Sequence, residues 1–174
     1  MSWKASELDA LLPRDVDDLV ERGRRLAGRD RTTALRDSIA RLETSAAPLD
    51  RLKMVLFVQT LFAFVPDGKL VSSVAESAAS ELSNVVVSAS DPEELKRSAL
   101  SALALLVLKA TELTASANTR IRAAFTSARD SRDPEIRDFA RRTSPSDRVH
   151  TGRSRSSSSE GSRSLRGRKR EEDW

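Results

Sequence analysis

The chain has no cysteine, no tyrosine and a single histidine among its 174 residues. Without cysteine, disulfides and thiolate metal sites are excluded. The lone histidine, His150, falls in a serine- and arginine-rich stretch near the C-terminus, so a histidine base held in a rigid site is not expected. No glycine-rich phosphate loop and no zinc-ligand spacing is present. The adjacent acids Asp17-Asp18 and Glu93-Glu94 stand one residue apart, so on a helix they do not face each other. Their places in first turns are explained by the helix dipole. The expectation is a protein that is not an enzyme and has no metal and no cofactor.

Long apolar runs are equally scarce. The first fifteen residues, MSWKASELDALLPRD, carry acids and no apolar core segment, so a secretory leader is not expected. The most apolar stretch is MVLFVQTLFAFV, Met54 to Val65, interrupted only by Gln59 and Thr60. As a helix it spans about 18 Å, and a bilayer needs roughly 20 apolar residues. Membrane insertion is therefore not expected.

What the chain does have is charge, 32% of it, with an uneven distribution. Residues 1–140 hold 20 basic and 21 acidic side chains, whereas residues 141–174 hold 10 basic and 5 acidic. A near-neutral body is followed by a tail at +5, and such blocks mark interaction tails. We divide the chain into a helical domain, 1–142, and a basic tail, 143–174, whose composition predicts disorder.

Throughout the body the apolar spacing is helical and no alternating β-branched run occurs, which makes the fold class all-α. Segments 6–12, 15–28 and 31–43 read as amphipathic helices, the first starting on a serine cap and stopping at Pro13. A helix over 49–65 ends at the turn VPDG. Another follows over 69–88, with Leu70, Val74, Ala78, Leu82, Val85 and Val86 in a stripe. SDPEEL (90–95) restarts the chain with Asp91 as cap and Pro92 in the first helical position. Helices over 93–114 and 119–130 and a half-polar segment after Asp133-Pro134 complete the body. No internal sequence repeat is visible.

The segment 54–65 is apolar on every side, whereas a globular helix normally shows one apolar stripe. Such a helix must be covered all round, and about 135 residues with mostly one-sided helices are a small supply of cover. The reading is a hairpin of 49–65 and 69–88 that pairs with a second copy into a four-helix bundle; the plainer one is the central helix of a monomer.

In the tail, Arg153, Arg155, Arg163, Arg166, Arg168, Lys169 and Arg170 are candidates to neutralise phosphates without reading bases. No aromatic side chain is interleaved with them for base stacking. Ser144, Ser154, Ser156 and Ser164 are candidate sites for host Ser/Thr kinases. Each phosphate adds roughly −1.5 to −2 charges, so about three would cancel the tail's excess.

The order of elements resembles the core (capsid) proteins of hepatitis B-like viruses, of the hepadnavirus or fish nackednavirus type. ALLPRDVDDLV (10–20) is similar to that family's leucine-proline-x-aspartate start. TTALRDSI (32–39) is similar to its threonine-alanine-leucine-arginine helix, and the SDP break at 90–92 falls where its second spike helix is kinked. The Phe-Phe-Pro after the family's start is absent here, with Val16 and Asp17 instead. The resemblance implies an intradimer core of Met54, Phe57, Val58, Leu61, Phe62 and Val65 with Leu70, Val74, Leu82 and Val86. It also implies contacts between dimers through Ile121, Phe125, Ile136 and Phe139.

The functional expectation is a dimeric viral capsid protein that builds an icosahedral shell and packages viral RNA or DNA through its tail. It would be found in the virion and in the host cytoplasm or nucleus. The alternatives are a non-structural dimeric RNA-binding regulator, such as a viral silencing suppressor, and a helical adaptor whose tail only addresses it to the nucleus.

Overall fold

A computed structural model describes residues 2–144. It is all-helical: α1 (Ser6–Leu11), α2 (Val16–Arg25), α3 (Gly28–Thr44), α4 (Pro48–Ala63), α5 (Ser72–Val87), α6 (Glu93–Lys109), α7 (Ala115–Arg129) and α8 (Pro134–Thr143).

Local chemistry sets the boundaries. Pro48 and Pro134 occupy first-turn positions, where a missing N–H costs nothing. The Asp133 carboxylate accepts from the Glu135 and Ile136 amides at 2.8 and 3.4 Å and fixes the start of α8. The Thr114 hydroxyl does the same for α7, accepting from Ala117 N–H at 3.1 Å, so that helix starts earlier than the spacing suggests. Between α4 and α5, Gly68 sits at φ +67°, a left-handed conformation that glycine adopts without strain.

Two further differences from the sequence reading concern α5 and α6. Helix α5 begins at Ser72 because Leu70 is used elsewhere: its N–H donates to Lys109 O at 2.8 Å and its carbonyl accepts from Thr111 N–H at 3.2 Å. Asp91 is no helix cap: Pro92 is the cap residue of α6, and the Asp91 carboxylate pairs with Arg51 of α4 instead. That pairing holds a carboxylate whose residue is only 7% exposed.

The helices form two layers. Helices α3, α5 and α7 lie side by side in one, and α2, α4, α6 and α8 in the other; α3 packs on α4, α5 on α6 and α7 on α8 across the interface. Helices α4 and α5, although adjacent in sequence, have their main packing partners elsewhere, and α6 lies against both. The pairs step forward with a regular stride. Lys53 to Leu12 O, Arg51 to Asp91, Gln59 to Ser101, Lys109 to Asp67, Thr114 to Glu76, Arg120 to Ser80 and Arg97 to Glu135 are all bonded across 38 to 42 residues. A helix pair that recurs about every 40 residues is the geometry of an α-solenoid, here a short one.

The layered stack explains the segment that is apolar on every side. Helix α4 is flanked by α2 and α6 within its layer and faced by α3. Met54, Val55, Phe57, Val58, Leu61 and Phe62 are 0% exposed within the one chain. The premise that a single chain is too small to bury these residues is therefore corrected: three of its own helices do so, and only the outward side of α4 remains open.

Both ends of the stack are polar. At one end α2 exposes Asp17, Asp18, Arg24 and Arg25; at the other α7 and α8 expose Arg122, Glu135, Asp138 and Arg141. Trp3 straps the first end. Its Nε1 donates to the Asp37 carboxylate at 2.6 Å, and its ring centroid lies 5.9 Å from that of Phe57.

Candidate functional site

The structure places the residues of the expected intradimer core inside their own subunit. Met54, Phe57, Val58, Leu61 and Phe62 of α4 are fully buried, as are Val74, Leu82 and Val86 of α5 and the connecting Leu70, while Val65 is half-buried. They belong to one continuous core that α6 completes between α4 and α5. Of the residues expected between dimers, Ile121, Phe125 and Ile136 are buried in the same core and Phe139 is half-buried against it.

Ser144, a candidate for phosphorylation, is 3% exposed at the end of α8, so modification there requires that end to open. Ser154, Ser156 and Ser164, together with Arg153, Arg155, Arg163, Arg166, Arg168, Lys169, Arg170 and His150, lie outside the described residues.

Clefts indent the body, among them the following three. One of about 590 Å³ between α1 and α2 is lined by Lys4, Glu7, Arg14, Arg22 and Arg25, with Glu7 and Arg22 paired to each other. One of about 600 Å³ lies where the ends of α5 and α7 meet the starts of α6 and α8. The third, about 270 Å³, runs between α3 and α5, where Glu43 and Glu81 approach each other. Burial, and then the nearby Glu43 carboxylate, raise the Glu81 pKa above the ordinary 4.5; Asn84, Arg51 and Arg120 partly offset this. No group of three or more metal-ligating side chains occurs among the described residues, and no described helix is long and apolar enough to cross a membrane.

A surface that sequence reading missed lies on the free side of the second layer. The outward side of α4 carries Leu49, Leu52, Lys53, Leu56, Gln59, Thr60 and Ala63, with Lys53 reaching back to Leu12 O and Thr60 leaning on Gly23 of α2. Beside it, α6 turns Glu94, Arg97, Ser98, Ser101, Leu105 and Leu108 outward, so the surface mixes leucines with charges. Leu49 is 62% exposed and Leu108 44%. Where the two lines meet, Gln59 Nε2 donates to Ser101 Oγ at 2.8 Å. The signal was present in the sequence, since Lys53, Gln59 and Thr60 are the few polar groups that α4 has on its outward side. It was hidden because the buried side of the same helix is apolar as well.

Comparison with protein families, with curated proteins and with solved structures finds no match for this chain.

Proposed function

We propose that this is a non-catalytic nucleic-acid-binding protein in which the helical body makes protein contacts and the basic tail holds phosphate backbones. The observation that carries the reading is the division of charge: a body at −1 over residues 1–140 and a tail at +5 over residues 141–174. Arginines in an extended segment neutralise phosphates by releasing counterions, which gives sequence-tolerant, salt-sensitive binding. A stack of helix pairs supplies the other half, since such stacks present broad surfaces to protein partners.

Two forms of this reading differ in what the body touches. In the capsid form, copies of the chain build a closed icosahedral shell around viral RNA or DNA; the resemblance in element order supports it. The apolar side chains of α4 and α5 are engaged inside the subunit, which speaks against the α4–α5 hairpin as its spike. In the regulator form, a discrete RNA-binding protein acts without a shell, and the self-contained core of α4 favours it.

The test uses the full chain and a variant with Arg153, Arg155, Arg163, Arg166, Arg168, Lys169 and Arg170 all changed to glutamine. Binding to unrelated single-stranded RNAs and to duplex DNA is measured over a range of salt concentrations. The wild type should bind all of them with a steep salt dependence, and the variant should lose most of that affinity. Equal binding by both proteins refutes the tail's role. Electron microscopy of the wild type with RNA then separates the forms: uniform closed particles for a capsid, small discrete complexes for a regulator.

A further inference from the structure

The helices of each layer run parallel, and this sorts their ends by charge. The ascending pairs Arg51–Asp91, Gln59–Ser101 and Asp67–Lys109 set α4 and α6 in one direction, and Arg97–Glu135 joins the start of α8 to that of α6. The contacts of Leu12 with Lys53 and of Gly23 with Thr60 add α2. In the other layer Glu76–Thr114 and Ser80–Arg120 do the same for α5 and α7.

The connections therefore fall on two opposite edges of the stack. One edge holds the α2–α3, α4–α5 and α6–α7 turns and the end of α8. These turns are tied side by side: Arg31 donates to Phe64 O at 2.6 Å, and Leu70 N–H to Lys109 O at 2.8 Å. The other edge holds the α1–α2, α3–α4, α5–α6 and α7–α8 turns.

Charge divides in the same way. Counting each connection with one turn of helix beside it, the first edge carries nine basic and three acidic side chains, and the second seven basic and twelve acidic. Just outside those turns, Glu7 pairs with Arg22, Glu21 with Arg24 and Arg25, and Asp138 with Arg141. With these three acids included the first edge is still basic, nine to six.

The excess has a physical origin. Helices α2, α6 and α8 start with acids and end with bases, as their dipoles favour, and being parallel they bring their basic ends together. Helices α3, α5 and α7 run the opposite way and turn their N-termini, the positive ends of their dipoles, to the same edge. The first turns of α5 and α7 hold no acid to neutralise them. The densest part is the α2–α3 corner, RGRRLAGRDR (22–31), with five arginines and one acid. There the side chains of Arg24 and Arg25 share Glu21 and are 62% and 70% exposed. Arg29 is exposed as well.

We propose that this edge of the body is a second phosphate-backbone site, along which a nucleic acid held by the tail continues. This rests on the nucleic-acid function proposed above and gives the helical body a share in it. Two observations select this occupant. The chain leaves the body at Ser144, beyond the end of α8, so the basic tail starts from the basic edge and not from the acidic one. The edge is also long enough. It runs across α2, α4, α6 and α8, which at ~9 Å spacing is on the order of 27 Å. Phosphates of one duplex strand follow one another at about 3.4 Å, so roughly eight would lie alongside it. The α2–α3 corner and the Arg141-Arg142 end of α8 then grip that stretch without contacting bases.

The test compares two pairs of exposed arginines in the full-length chain. Arg24→Gln with Arg29→Gln removes two charges from the basic edge, and Arg14→Gln with Arg132→Gln removes two from the acidic edge. All four side chains lie outside the core, so melting temperatures should stay at the wild-type value. Binding to a mixed-sequence duplex DNA is titrated at several salt concentrations. The first pair should weaken binding about tenfold and reduce the salt slope by about 1.8, the equivalent of two phosphate contacts. The second pair should leave both near the wild-type values.

The same comparison in the protein with its seven basic tail residues changed to glutamine separates the edge from the tail. There the remaining affinity should vanish with Arg24→Gln and Arg29→Gln. Binding that is lost on changing the tail but not on changing Arg24 and Arg29 overturns the edge and leaves the tail's role standing. Equal losses from the two arginine pairs also overturn it, since net charge alone would then matter. A wild type that binds no nucleic acid overturns both. The competing occupant is an acidic protein surface, including the opposite edge of a second copy. Self-association in sedimentation that Arg24→Gln and Arg29→Gln abolish, with DNA binding unchanged, overturns the proposal in its favour.

Discussion

Gly23 of α2 faces Thr60 of α4 so closely that a Cβ on the glycine would stand 2.9 Å from Thr60 Cγ2, with Phe57 and Leu61 just beyond. The missing side chain lets the two helices approach, and α2 thereby seals one flank of the apolar helix. Glycine inside a helix costs about 1 kcal/mol relative to alanine, so close packing has to compensate for it. Gly23→Val should destabilise the protein by about 1–3 kcal/mol, the usual result of forcing methyl groups into a filled site. Urea unfolding measures this; a variant as stable as the wild type would show that α2 is free to move away.

Phe57 tests whether α4 is core or interface. It is fully buried and touches the Trp3 ring. Phe57→Ala should cost about 3–5 kcal/mol at any protein concentration, because the cavity forms within one subunit. Were Phe57 an intersubunit contact, the loss would shrink on dilution, and unfolding curves at two concentrations distinguish the two. For the same reason Phe57→Asp should give an unfolded chain rather than a folded monomer.

The Arg51–Asp91 pair ties α4 to the start of α6, with side-chain exposures of 20% and 5%. Asp91→Ala leaves a largely buried guanidinium without its partner and should cost roughly 3 kcal/mol. Replacing Arg51 by methionine in the same protein should recover much of that loss. A double-mutant cycle in chemical denaturation checks it; simple additivity would mean that the pair contributes nothing as a pair.

Glu81 makes stability depend on pH in an unusual direction for a carboxylate. Burial and the Glu43 charge raise its folded pKa above 4.5, so between 4.5 and the folded value the native state binds more protons than the unfolded one. Its contribution is therefore fully present below pH 4.5 and is lost as pH rises through the folded pKa. Glu81→Gln should raise the melting temperature at pH 7, and that gain should vanish at pH 4. A gain of equal size at both values would mean that the effect is not one of ionisation.

The helices were legible from spacing and caps, including the stop at Val65–Gly68 and the break at Asp133-Pro134. What could not be read was which helices touch. The apolar surface of 54–65 announces complete coverage without saying by what; a second copy and the flanking α2 and α6 satisfy the same pattern. The repeat was invisible because it resides in backbone layout and in pairs such as Gln59–Ser101 and Arg120–Ser80, whose residue types do not recur at that interval. Asp91 was misread because aspartate before Pro-Glu-Glu has the composition of a helix cap, and only the fold brings Arg51 within reach.

The charged ends of the helix stack, one of them strapped by Trp3, carry a consequence for growth. Modules of this architecture can in principle lengthen by seating one terminus on the next, which yields rods. Salt-rich caps at both termini oppose such polymerisation, so any larger particle made from this chain must spread broadside, as tiles do, rather than lengthen as a fibre.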